Sequence, residues 1–218
     1  LWRAPNTMTV SARDVLQRLL AYMAARDIPW DGPLRSLCKL GLFRFLIAVH
    51  DYAVAAGRAI GGGVDLVTAC DIRYATSDAF LTIFETNIGM TADVGTFPRL
   101  VKLIPEGFVR EMAYTGRRVP AQEAAAMGLI NRVFEDQAQM LEAVMAIAAE
   151  IASKAPLAVY GCKKMITYAR DHNTADGLDY IAIWNASHFK LEEIQEAMTA
   201  NAEKRPGQFV DLPKMRKA

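Results

Sequence analysis

The chain has 218 residues, 52% of them hydrophobic, enough to bury one sizeable core. Its 25 basic and 24 acidic side chains leave a net charge of +1, which excludes a general electrostatic attraction to nucleic acid or to an anionic membrane. The three cysteines, Cys38, Cys70 and Cys162, form no CxxC pair and hence no disulfide framework or zinc site, and no apolar run reaches the roughly 20 residues that span a bilayer.

Residues 1–10 read as irregular, and Ser11 with Asp14 opens a helix whose apolar face is Val15, Leu19, Tyr22 and Met23. Pro29, Asp31, Gly32 and Pro33 break the chain, and residues 34–48 suit a second helix. After His50 the texture changes. A short apolar run, Tyr52 to Ala56, ends at Gly57, and Ile60-Gly61-Gly62-Gly63-Val64-Asp65 then reads as strand, glycine turn and helix. Asp71 to Ala75 and Ala79 to Ile83 are short strands. From Thr96 the chain is mostly helical, with a short helix over 120–127 stopped at Gly128 and a strand over 129–134. Helices follow over 139–154, from Pro156 onward, and through a long helical region at 174–204 that ends before Pro206-Gly207.

Three successive glycines bare their backbone amides to whatever sits above them, so the turn can hold an oxyanion or a phosphate. The register gives neither the dinucleotide fingerprint GxGxxG nor a P-loop lysine. Three carboxylates follow among apolar and small residues: Asp65 just after the glycines, Glu85 in Phe84-Glu85-Thr86-Asn87-Ile88-Gly89, and Asp93 in Ala92-Asp93-Val94-Gly95-Thr96. Acids in such company suit proton exchange near neutral pH. Taken singly, Asp65 has an ordinary use as a helix-dipole partner and Asp93 as a helix N-cap. His50, His172 and His188 are scattered and read as structural or surface residues, so no metal site is expected.

Taken together, these motifs resemble the signature of the enoyl-CoA hydratase/isomerase (crotonase) superfamily. The segments that carry the resemblance are Ile60 to Leu66, Ala69-Cys70-Asp71-Ile72-Arg73-Tyr74-Ala75, Phe84 to Gly89, Thr115-Gly116-Arg117-Arg118, and Gly128-Leu129-Ile130-Asn131-Arg132-Val133. The set Asp65, Glu85 and Asp93 is most similar to that of the Δ3,5-Δ2,4-dienoyl-CoA isomerases; hydratases of the superfamily generally carry Glu at the first two positions and lack the third acid. The resemblance implies an α/β fold, a crotonase-like spiral of ββα units with a C-terminal helical region. It implies an isomerase of fatty acid β-oxidation that shifts the double bonds of a 3,5-dienoyl-CoA to the 2,4 positions. Gly62 would supply an oxyanion amide, Glu85 and Asp93 would exchange protons at C2 and C6 of the acyl chain in an order left open, and Asp65 would polarise or position its neighbours. No cofactor is implied, because CoA is part of the fatty acyl-CoA substrate. A homotrimer or homohexamer in mitochondria or peroxisomes is also implied.

Residues 1–50 depart from the pattern and are expected to be an atypical or truncated N-terminal segment. Residues 51–135 then form the crotonase core with the glycine turn and acids, and 136–218 a helical oligomerisation region. The second oxyanion amide of the superfamily comes from a Ser-Ala-Gly-x-Asp-like segment. Here Ser11-Ala12-Arg13-Asp14 has arginine in place of the glycine. Enoyl-CoA hydration and non-catalytic acyl-CoA binding are the competing expectations.

Overall fold

The computed structural model describes residues 59–212. The two helices expected over 11–48, the run at 52–56 and the Ser11–Asp14 segment lie outside the described residues.

The first described strand, β1 (Ala59–Ile60), leads through Gly61 into α1 (Gly62–Thr68). Two more strands, β2 (Tyr74–Thr76) and β3 (Phe80–Thr82), precede a 3-10 turn at Glu85–Ile88. Next come α2 (Thr96–Leu100), α3 (Glu106–Thr115), β4 (Val119–Pro120), α4 (Ala121–Ala126) and β5 (Arg132–Phe134). Four longer helices close the chain: α5 (Gln137–Ala152), α6 (Pro156–Asp171), α7 (Thr174–His188) and α8 (Leu191–Ala202). The described part is thus a mixed α/β spiral with a helical C-terminal region, as expected.

The first three strands alternate between two sheets, and the fourth stays in the sheet of the third. β1 pairs in parallel with β3 (Ala59↔Leu81, Ile60↔Thr82), and β3 pairs antiparallel with β4 (Phe80↔Pro120, Leu81↔Val119). β2 pairs in parallel with β5, from Tyr74↔Arg132 to Thr76↔Phe134. The strands are two or three residues long and largely buried, so their stability comes from packing against the helices rather than from long ladders. Val64, Leu81, Leu100, Met112, Val119 and Leu129 are fully buried in one cluster between the three-stranded sheet and α1 to α4. Tyr74, Phe134, Met140 and Val144 make a second cluster beneath α5.

Arg73 joins β2 to β5 from inside. Its Nε donates to the Leu129 carbonyl (2.6 Å), its Nη1 donates to the Cys70 carbonyl (2.9 Å), and its backbone N–H donates to Asn131 Oδ1 (2.8 Å). Burial pulls its guanidinium pKa down from the usual value, and the carbonyls offset that desolvation.

The helix ends obey local chemistry. Asp136 caps α5 by accepting from the Gln139 N–H (2.9 Å), Pro156 opens α6, and Asn173 caps α7 by accepting from the Asp176 N–H (3.0 Å). The region expected over 174–204 is two helices, because Phe189 and Lys190 adopt extended backbone angles between α7 and α8. Proline-containing β4 was not expected as a strand; antiparallel pairing to β3 puts Val119 in the core, and Pro120 at its end opens α4. α6 and α7 pack as a hairpin with Gly161 against the Trp184 indole. Ion pairs of Lys163 with Asp71 and of Lys102 with Asp171 tie this hairpin to the core. No single helix among the described residues is long and apolar enough to cross a membrane.

Candidate active site

The glycine turn is built by strand pairing and completed by a residue without a side chain. Gly61 donates its N–H to the Thr82 carbonyl (3.0 Å), continuing the β1–β3 ladder, and then turns with φ +54° and ψ −112°. Side chains rarely tolerate that backbone region. Its carbonyl accepts from the Val64 N–H (2.7 Å), which starts α1. The N–H groups of Gly62 and Gly63 therefore occupy the first helical positions, which have no intrahelical acceptor. Gly62 is exposed, and a Cβ built on it would meet nothing within 4 Å among the described residues, so this position borders open space.

Glu85 begins the 3-10 turn that follows β3, and its carboxylate lies against Gly61. A Cβ on Gly61 would stand 2.7 Å from Glu85 Oε1. Glu85 Oε2 is shielded from solvent and has no hydrogen-bond partner among the described residues. A buried carboxylate oxygen without a donor costs stability and leaves a lone pair unused by the fold. The turn that carries it is anchored to α3: Thr86 Oγ1 donates to the Ala113 carbonyl (2.7 Å), and Asn87 Nδ2 donates to the Gly116 carbonyl (3.0 Å).

Asp65 sits in the first turn of α1 and is buried. It is not a lone acid. Thr96 donates a short hydrogen bond to its Oδ1, and Arg99 Nη2 pairs with the same oxygen at 3.3 Å. Asp93 is exposed, in the irregular loop before α2. Gly95, not Asp93, is the N-cap of that helix, which removes the ordinary structural use for this acid. Ile88, Met90 and Val94 are exposed apolar side chains of the same stretch.

The three acids are therefore not buried together. Asp65 is buried against a cation, Glu85 is half-buried against the glycine turn, and Asp93 is open. Among the described residues no cluster of three His, Cys, Asp or Glu side chains is arranged to hold a metal ion. Sequence reasoning missed Thr96 and Arg99, which share one face of the short helix α2; their spacing offered the only signal, and it named no partner.

This spiral of short strands, with a glycine turn feeding a helix and with Asp65 and Glu85 beside it, defines a family. Residues 45–212 match the enoyl-CoA hydratase/isomerase family, and the chain belongs to it. It is similar to the mitochondrial Δ3,5-Δ2,4-dienoyl-CoA isomerase of Homo sapiens, at 45% identity over 164 residues, covering 75% of this chain and 50% of that protein. It is also similar to the peroxisomal Δ3,5-Δ2,4-dienoyl-CoA isomerase of Arabidopsis thaliana, at 40% identity over 160 residues, covering 73% and 58%. An enoyl-CoA hydratase from Mycobacterium marinum has a similar fold, with a TM-score of 0.66 at 31% identity, covering 71% of this chain and 63% of that one. The chain spans about half the length of the mammalian relatives it matches.

Proposed function

We propose that the chain carries the proton-transfer site of a Δ3,5-Δ2,4-dienoyl-CoA isomerase. The observation that carries this reading is the Glu85 carboxylate, held against the glycine turn with one buried oxygen that has no partner among the described residues. A 3,5-dienoyl-CoA bound with its thioester oxygen on the Gly62 amide has C2 beside the turn. Glu85, the acid in contact with the turn, takes the C2 proton. The electron pair delocalises onto the thioester oxygen, where the amide stabilises it, and in the other direction through both carbon–carbon double bonds to C6. Asp93 delivers a proton to C6, and the double bonds settle at positions 2 and 4. Asp65 acts indirectly, by positioning its neighbours. The exposed apolar groups Ile88, Met90 and Val94 suit contact with an acyl chain.

Similarity to dienoyl-CoA isomerases at 40–45% identity supports this reading over hydration, as does the presence of Asp93, because hydration needs no third acid. The apolar residues left exposed on the C-terminal helices, among them Leu178, Ile183, Phe189 and Met198, support a homotrimer or homohexamer assembled through the region 136–218. Relatives in mitochondria and in peroxisomes support action in one of these two compartments.

The test is the rise in ultraviolet absorbance when a 3,5-dienoyl-CoA is converted to the conjugated 2,4-diene, for the wild type and for Asp93→Asn. Turnover that collapses in the variant is expected, by about 10²-fold or more for loss of a general acid. Hydration of a 2-enoyl-CoA without isomerisation overturns the reading, and silence in both assays with retained acyl-CoA binding moves it to a binding homologue.

A further inference from the structure

Arg99 takes no part in the proton transfer itself, yet it contacts two of the segments that do. Its Nη2 donates to the Asp65 carbonyl (3.0 Å), faces Asp65 Oδ1 (3.3 Å) and reaches the Val94 carbonyl (3.4 Å), while its Nε donates to Thr68 Oγ1 (3.1 Å). Asp65 and Thr68 belong to α1, the helix that begins at Gly62, whereas Val94 is the residue after Asp93. Gly95 lies over the guanidinium: with φ +110°, any Cβ on it would stand 2.6 Å from Arg99 Nη1. One planar group thus joins the helix of the glycine turn to the loop of the distal acid. The buried Asp65 carboxylate balances its charge, and Thr96, three residues earlier on α2, binds the same oxygen.

We propose that Arg99 is the positioning residue that sets Asp93 relative to the glycine turn, with Asp65 as its anchor. This rests on the isomerase reading above. Asp93 itself is exposed and caps no helix among the described residues, and its loop forms no strand or helix, so its place over the acyl chain has to be imposed from outside. A guanidinium does this with several directed donors in a rigid plane. A lysine ammonium keeps the charge near Asp65 but cannot serve Thr68, Asp65 and Val94 at once.

The experiment is a double-mutant cycle in the complete protein with Arg99→Lys, Asp93→Asn and the pair, reading kcat, KM for a 3,5-dienoyl-CoA and the thermal unfolding midpoint. A displacement of about 1 Å at a reacting group costs up to about 10²-fold in rate, so Arg99→Lys is expected to lower kcat by about 10- to 100-fold and leave KM within about threefold. Added to Asp93→Asn, it is expected to lower kcat no further, because a residue that acts only through Asp93 has nothing left to position. A double variant whose loss is the product of the single losses overturns the proposal, as does an Arg99→Lys enzyme with wild-type kcat. Should Arg99→Lys fail to fold, Gly95→Ala displaces the same loop from the other side, and the same cycle with Asp93→Asn decides. A wild type that does not isomerise overturns the isomerase reading and this role with it; normal wild-type turnover with an indifferent Arg99→Lys overturns this role alone.

Discussion

Substituting Gly61 by alanine separates a stability cost from a catalytic one. At φ +54° and ψ −112° an alanine occupies a backbone region nearly reserved for glycine, which costs about 1–3 kcal/mol. For a domain of this size that lowers the unfolding midpoint by about 2–12 °C. The new Cβ also stands 2.7 Å from Glu85 Oε1, where ordinary contact begins at 3.4 Å, so the carboxylate has to withdraw by about 0.7 Å. Thr86 and Asn87 hold the turn below it, so the displacement falls on the side chain rather than on the fold. Since about 1 Å of misplacement is worth up to about 10²-fold, kcat for isomerisation is expected to fall by about 10- to 100-fold, measured by the absorbance assay well below the variant's own midpoint. Gly61→Ala placed on a Glu85→Gln background is expected to cost stability but no further activity. A Gly61→Ala enzyme that is destabilised yet keeps kcat within about threefold of wild type refutes the placing of the C2 base against the turn.

Two further outcomes follow from packing and charge. Leu81 is fully buried at the centre of the three-stranded sheet, so Leu81→Ala should cost about 2–5 kcal/mol and lower the midpoint by about 4–20 °C in a calorimetric scan. Glu196 on α8 accepts from Arg205 and from the Gln208 N–H, and these bonds hold its pKa at about 2, below the ordinary 4.5. A depressed acid stabilises its contacts above its ordinary pKa and loses that contribution as pH falls through the folded value. The segment around 205–208 is therefore expected to gain hydrogen exchange and protease sensitivity between about pH 4.5 and pH 2, and Glu196→Gln to show that opening already at pH 7.

The elements with strong local signals were legible in the sequence. The glycine run between an apolar pair and Val64 gave strand, turn and helix; Pro156 opened a helix; the apolar stretches at 79–83 and 129–134 became β3 and β5. Elements without local signals were not. The 3-10 turn at Glu85–Ile88 has no capping side chain, and β4 exists only because β3 offers it an edge. The break at Phe189 and Lys190 carries neither glycine nor proline.

The candidate site divides in the same way. Residue types and their order marked the glycine turn and the three acids as candidates, and the family resemblance singled out Gly62 and gave Asp65, Glu85 and Asp93 their expected roles. The environments of those acids were decided by contacts between distant positions. Glu85 reaches Gly61 only because β1 and β3 pair in one register, and Asp65 meets Arg99 across 34 residues of chain. Burial and charge pairing depend on what packs alongside, and a sequence states spacing along one line rather than neighbours in space. Three acids alike on paper thus became a buried ion-paired anchor, a half-buried acid with one unpartnered oxygen, and an exposed acid whose loop an arginine holds.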